Sequence, residues 1–163
     1  MSPLAAATDT MRVMSTPLIA DHITRHLGAA ARDLKVEVLD TTQSTNADLR
    51  SRIAELSVPL LLATENQTAG RGRAGRSWHS TPGDSLCFSL AWSLTLSIDR
   101  ITGLPLAAGV AVADALHQLG WPVQLKWPND LLLNSAKVGG LLIETASSSR
   151  ATNDHRVWVV IGV

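Results

Sequence analysis

The sequence predicts a single α/β or α+β domain in which helices cover a mixed, largely antiparallel sheet. Short runs that alternate or stay apolar recur between turn signals, as strands do. Ile101 to Leu119 is apolar on nearly every side, lacks a β-branched run and stops at Gly120 with Pro122 just beyond, as a helix does. The 163 residues are 45% hydrophobic and 17% charged, which suits one globular domain with a buried core.

Residues 1–14 mix small residues and methionines without a period, and poor order is expected there. Ser15 and Thr16 before Pro17 signal a helix start, and Ile19, Ile23 and Leu27 share a face until Gly28. Residues 1–35 therefore read as an extension carrying a short amphipathic helix, and 36–163 as the main domain. His22 and His26 stand four apart on that helix, but no acidic third ligand accompanies them, and a solvated face is expected. Val36 to Leu39 alternates as a strand. A helix beginning near Ser44 carries Leu49, Ile53 and Leu56 inward, with Thr45 and Asp48 in a capping-box pattern. Leu60 to Thr64 reads as a buried strand and Leu86 to Trp92 as the next. The helix over Ile101 to Leu119 should be buried and form the spine of the domain. Val123 to Lys126, Leu131 to Leu133, Val138 to Thr145 and Val157 to Val163 then read as consecutive strands of one largely antiparallel sheet.

Composition excludes several classes of function. No apolar run is long enough to span a membrane, and the N-terminus lacks the basic-then-apolar order of a secretory signal, so a cytoplasmic location is expected. The formal net charge is zero, against the basic excess of a duplex-DNA binder. The single cysteine, Cys87, lies in an apolar run and reads as core filler. The five tryptophans are not interleaved with basic residues on strands, as a platform for single-stranded nucleic acid requires.

Against that neutral background, Gly70-Arg71-Gly72-Arg73-Ala74-Gly75-Arg76 packs three glycines and three arginines into seven residues. Glycine lets backbone N–H groups approach a ligand, and guanidinium forks match phosphate and carboxylate oxygens in pairs. Gly70 to Ser77 comes within one residue of the phosphate loop G-x-x-x-x-G-K-[ST], yet Thr81-Pro82-Gly83 breaks the helix such a loop must open. A disordered arginine-glycine tract would be longer and repetitive. A solvated loop with no ligand stays open as the plainest alternative.

The flanking motifs add a resemblance. Gln43-Ser44-Thr45-Asn46-Ala47-Asp48-Leu49 precedes the glycine-arginine segment, and Lys126-Trp127-Pro128-Asn129-Asp130 and Lys137-Val138-Gly139-Gly140-Leu141-Leu142-Ile143-Glu144 follow it. From about Thr42 to Val163 this ordered set resembles the biotin protein ligases, which activate biotin with ATP and attach it to a lysine of a carrier protein. The resemblance implies a catalytic domain of the class II aminoacyl-tRNA synthetase and biotin protein ligase type. It also implies biotin as substrate, ATP with Mg²⁺, a biotin carboxyl-carrier protein domain as partner, and leaves a homodimer open. Lipoate ligases share the fold and the adenylated vitamin, but do not typically carry the glycine-arginine segment.

Matched position by position, the resemblance gives Lys137 a point charge for the carboxylate and α-phosphate, against the alternative of an exposed strand-end lysine. Arg71 and Arg73 would line biotin and the adenylate phosphate, with Gly70 and Gly72 beside them, and Arg76 would lie near the ATP phosphates. Such a loop would fold over bound adenylate and shield it from water. Ser44, Thr45, Asn46, Gln67 and Gly140 match biotin contacts, although Ser44 and Thr45 could equally be helix caps. Trp78 matches an adenine-stacking tryptophan, with core burial as the alternative. Lys126, Asn129 and Asp130 fall on the nucleotide side, Asp130 as a weak Mg²⁺ ligand, although the segment is also a complete turn between strands.

Two departures from the family pattern bear on these expectations. The residues before Val36 are too few for the winged helix of bifunctional members, so no DNA binding is expected. Family members continue past the strand ending at Val163, so the domain is expected to be incomplete at its C-terminus, with a non-catalytic biotin- or nucleotide-binding fragment as the alternative to an active ligase.

Overall fold

The computed structural model describes residues 17–95, 101–147 and 157–163. The first element, α1 (Ala20–His26), has Asp21 in its first turn and Arg25 and His26 in its last, signs that complement the helix dipole. Ser15 and Thr16, the expected start signal, lie outside the described residues. None of α1 is buried, and it rests against β1 (Lys35–Val38).

A parallel neighbour to β1 requires a crossover, and α2 (Thr45–Arg52) with the short 3₁₀ turn Ile53–Glu55 supplies it before β2 (Leu60–Thr64). The N-cap of α2 is Ser44, whose hydroxyl accepts from Ala47 N–H at 3.4 Å. The expected pairing of Thr45 with Asp48 is not made: the Asp48 carboxylate accepts from the Thr42 hydroxyl, and Thr45 N–H turns to Gln67. The chain then makes a small antiparallel hairpin, β3 (Gly70–Arg71) and β4 (Ser77–Trp78), and enters the long β5 (Cys87–Leu94).

After α3 (Leu104–Gln118) comes a three-stranded antiparallel meander of β6 (Gln124–Lys126), β7 (Asp130–Leu133) and β8 (Ala136–Gly140). The last strands, β9 (Leu142–Ser147) and β10 (Val157–Gly162), return to the larger sheet, whose order is β1-β2-β5-β10-β9. Only the β1–β2 pair is parallel there. The sheet is thus mixed and largely antiparallel, as the sequence predicts.

The two sheets have separate cores. Leu49 and Ile53 pack on Leu60, Leu62, Ala91, Trp158 and Val160, all on the face of the large sheet that α2 covers. Toward the N-terminus of α2 this face turns polar, with Ser89 and Thr64 at 0% exposure. The second core joins Ala113 of α3 to Val123, Leu131 and Leu141.

The strands after α3 do not form one sheet. The expected single strand from Val138 to Thr145 breaks at Leu141, where the chain passes from the small sheet to the large one. Leu141 N–H donates to the backbone oxygen of Asn129 at 2.8 Å, and Asn129 Nδ2 donates back to Leu141 O at 2.8 Å. The helix over Ile101 to Leu119 is also not a buried spine. It begins at Leu104, with Pro105 in its first turn, and only Gly109 and Ala113 are buried. Leu106 and Val110 are exposed, because α3 lies along one side of β6 and β7. Gly109 allows the approach: a Cβ there would sit 3.3 Å from Leu125 Cδ2.

On the surface, Arg52 Nη1 and Nη2 donate to the two carboxylate oxygens of Glu37 at 2.6 and 2.8 Å. This fork holds the Glu37 carboxyl below its ordinary value. A lowered glutamate contributes stability that is present above the unfolded pKa and lost as pH falls through the folded one. Both side chains are more than a third exposed, so solvent screening limits the contribution to about 0.5–1 kcal/mol. Glu37→Gln is expected to lower the denaturant midpoint modestly at neutral pH. The two proteins should converge in acid below the depressed Glu37 pKa.

Candidate functional site

The glycine-arginine segment is not an irregular loop; it folds as the β3–β4 hairpin. Gly70 pairs with Trp78 and Arg71 with Ser77. Gly70 is required there, since a Cβ would lie 2.6 Å from the carbonyl oxygen of Trp78. The tip turns through Ala74 and Gly75, with φ of 55° and 72°, and Gly72 N–H closes it on Arg76 O at 2.7 Å. Arg71, Arg73 and Arg76 all stay exposed.

The hairpin forms one wall of a cleft of about 490 Å³. Arg71, Gly72, Arg73, Arg76 and Trp78 come from the hairpin, and Gln67 from the loop before it. Ser44, Thr45 and Asn46 come from the start of α2; Asn129, Asp130, Lys137 and Gly140 come from the small sheet. Two residues expected in the site do not line it. Gly70 lies beneath Trp78, and Lys126 is exposed on β6, the edge of the small sheet away from β8. Leu142 and Gly162 also line the cleft, brought together by the register of β9 and β10. Nothing local in the sequence announces that pairing.

One end of the cleft is buried and neutral. Ser44, Thr45 and Asn46 are 3–5% exposed. Thr45 N–H, one of the free amides at the start of α2, donates to Gln67 Oε1 at 2.9 Å. Gln67 N–H in turn donates to Ser80 Oγ at 2.7 Å. Gly162 has no room for a side chain, since a Cβ would lie 2.3 Å from Asn46 Oδ1.

The other end is charged, with Arg71, Arg73, Arg76 and Lys137 facing a single carboxylate, Asp130. Lys137 reaches the cleft through a β-bulge: Leu131 pairs with Gly139 and Leu132 with Lys137, so Val138 is the extra residue. Its Nζ stands 2.8 Å from Asp130 Oδ1 and 5.3 Å from the centre of the Trp78 ring. Gly140 clears the space beside it, since a Cβ there would lie 3.4 Å from Lys137 Cε. Arg73 Nη1 lies 3.4 Å from Asn129 Oδ1 and ties the hairpin tip to the small sheet. Cys87 is buried behind the site, and burial pushes its thiol up, which suits packing and not nucleophilic attack. Among the described residues no three histidine, cysteine or acidic side chains gather as a metal site.

Fold and cleft together define an α/β domain whose cleft joins a neutral polar end to a cationic end. The chain belongs to the biotin/lipoate A/B protein ligase family, whose profile matches residues 36–162. It is 43% identical over 110 residues to the bifunctional ligase/repressor BirA of Escherichia coli, covering 67% of this chain and 34% of that protein. It is 38% identical over 145 residues to the biotin–[acetyl-CoA-carboxylase] ligase of Mycobacterium tuberculosis, covering 84% and 51%. The chain therefore spans between a third and about half of these relatives. Among solved structures it resembles the biotin acetyl coenzyme A carboxylase synthetase of Helicobacter pylori with bound biotinylated ATP. The TM-score is 0.60 and the identity 29%, over 78% of this chain and 59% of that one. The biotin protein ligase of Leishmania major in complex with biotinyl-5-AMP aligns with a TM-score of 0.59 at 29% identity, over 78% and 56%.

Because the Trp78 carbonyl at Gly70 is backbone and cannot swing aside, Gly70→Ala should open the hairpin at a cost of about 1–3 kcal/mol. Limited trypsinolysis read by mass spectrometry is expected to show faster cleavage after Arg71, Arg73 and Arg76, with cleavage elsewhere unchanged.

Proposed function

We propose that this chain carries the adenylation site of a biotin protein ligase, which converts biotin and ATP to biotinyl-5′-AMP and passes biotin to a lysine of a biotin carboxyl-carrier protein. The observation that carries the proposal is the position of Lys137 in the cleft, held by Asp130 and facing the Trp78 ring of the arginine hairpin. The solved relatives holding biotinylated ATP and biotinyl-5-AMP support biotin as the acid.

In the first step a biotin carboxylate oxygen bonds to the α-phosphorus of ATP, and the bond to the pyrophosphate oxygen breaks. Two anions must meet, so cations and alignment supply the catalysis. Lys137 exchanges Asp130 for the carboxylate and the α-phosphate. Arg73 and Arg71 balance the adenylate, and Arg76 the departing phosphates. Ser44, Thr45 and Gln67 hold the neutral ureido ring of biotin, while Trp78 offers a face to adenine. Mg²⁺ arrives with ATP as part of the substrate and offsets phosphate charge. Asp130, a lone carboxylate, fits a Mg²⁺ held mainly by phosphate oxygens. In the second step the neutral amine of the acceptor lysine attacks the acyl carbon and AMP leaves. A cytoplasmic location, where ATP is supplied, is part of this reading.

Pyrophosphate release from MgATP is expected with biotin and absent with lipoate, and Lys137→Ala should lower its rate by about 10²-fold or more. Release with lipoate alone would transfer the proposal to the lipoate branch, and release with neither acid would overturn it. Biotin and MgATP together should also slow trypsin cleavage after Arg71, Arg73 and Arg76 by covering the hairpin, and undiminished cleavage would count against a hairpin that closes over the adenylate.

A further inference from the structure

Behind the neutral end of the cleft lies a row of polar side chains that the proposed chemistry does not use. Ser89 is fully buried near the start of β5, and its Oγ lies 2.7 Å from Thr45 Oγ1 and 2.6 Å from Asn46 Oδ1. Asn46 Nδ2 lies 2.9 Å from Glu144 Oε2 and 3.3 Å from the Leu142 carbonyl oxygen. Glu144 is held from outside by Arg50 at 2.7 Å.

The proton direction along this row follows by elimination. A carboxylate and a carbonyl only accept, so the nitrogen of the Asn46 amide must face them and its oxygen must face Ser89. That oxygen also only accepts, and the single Ser89 hydroxyl proton therefore goes to Asn46. The 2.7 Å contact between Ser89 and Thr45 still needs a proton, which only the Thr45 hydroxyl can supply. The Thr45 Oγ1 to Gln67 Oε1 separation, 3.2 Å, is longer than the 2.7 Å contact with Ser89, and Gln67 Oε1 already accepts from Thr45 N–H. With its proton committed inward, Thr45 Oγ1 presents lone pairs to the cleft.

We infer that Ser89, with Asn46 and Glu144 behind it, is a positioning residue that sets Thr45 as a hydrogen-bond acceptor, so that this end of the cleft selects a ligand N–H donor. The inference rests on the ligase proposal, in which that donor is a ureido N–H of biotin. It deepens the proposal by naming the device that determines which groups the pocket accepts. Gly162 belongs to the same arrangement, because its missing side chain lets Asn46 lie against β10.

The test is calorimetric binding of biotin and of biotin methylated on the ureido nitrogen, to the wild-type chain and to Ser89→Ala, Glu144→Gln and Arg50→Ala. Without the Ser89 oxygen, Thr45 can turn its proton toward the ligand and donate. Ser89→Ala is expected to weaken biotin about tenfold, as for one misdirected hydrogen bond, and to leave ATP affinity unchanged. The discrimination against the methylated ligand should shrink in parallel. Glu144→Gln leaves the Leu142 carbonyl to orient Asn46, so its effect should have the same sign and be smaller. Because Glu144 is partly exposed, this variant also keeps the test open if Ser89→Ala does not fold. Arg50→Ala removes the outer ion pair but not the carboxylate, and should bind biotin within about twofold of wild type. Equal biotin affinity in Ser89→Ala, or the same loss for both ligands, would overturn the relay while leaving the ligase proposal standing. With Ser89→Ala unfolded, an undiminished preference for biotin in Glu144→Gln would overturn it. A wild-type chain that binds no biotin would overturn the ligase proposal and the inference together.

Discussion

The cleft depends on one side chain, Asn129, at the point where the chain leaves the small sheet for the large one. Its backbone oxygen takes Leu141 N–H and its amide nitrogen gives a proton to Leu141 O, both at 2.8 Å. Its remaining oxygen lies within 3.4 Å of Arg73. One amide thereby registers the small sheet, the first strand after the crossing and the arginine hairpin against one another. Leu141 is 3% exposed, so an unpaired carbonyl there would cost about 1–3 kcal/mol. The larger consequence is geometric. Lys137 and Asp130 stand on one sheet, while Asn46 and Gly162 pack together at the other, and Asn129 sits at the junction between them.

The two ends of the cleft work by different physics. Ser44, Thr45 and Asn46 are buried and hydrogen-bonded, and they present oriented dipoles to a ligand. Such groups discriminate, because a ligand with the wrong donor or acceptor leaves a buried partner unsatisfied. The arginines and Lys137 are exposed and hydrated, and they attract anions of many shapes at modest cost. A molecule with a neutral cyclic urea at one end and an acidic group at the other fits both regimes. A purely anionic or purely neutral ligand would satisfy only half of the cleft.

What the sequence made legible was local. Leu60 to Thr64 could be read as a buried strand because it is a short apolar run beside turn residues, and the glycine-arginine segment because its charge is concentrated where the rest of the chain is neutral. The separation of β8 from β9 could not be read, since Val138 to Thr145 is continuous in character and the break at Leu141 is imposed by Asn129, twelve residues away. The exposure of Leu106 and Val110 was equally hidden, because composition describes what a helix could bury and not what is present to cover it. Ser89 had no signal at all. A serine in an apolar strand becomes informative only when Asn46 and Thr45 are seen beside it, and both lie more than forty residues away. Gly162 shares that property, since the atoms a Cβ would meet belong to Asn46, in a distant segment of the chain.

Asp130 and Trp78, the partners of Lys137, prepare the cleft for an anion. A lysine with no partner in a cluster of three arginines would be driven away from them by like-charge repulsion. Asp130 holds it in place at 2.8 Å and Trp78 offers its ring face at 5.3 Å, so the ammonium is already where an incoming anion needs it. The pair is partly exposed, at 44% and 26%, and such pairs contribute no more than about 1 kcal/mol. A carboxylate and a phosphate arriving together offer more oxygens than Asp130 does, in a space from which their own bulk displaces water. The proposed exchange would therefore be downhill without any large movement of the lysine, and Gly140 leaves the room in which its side chain can turn.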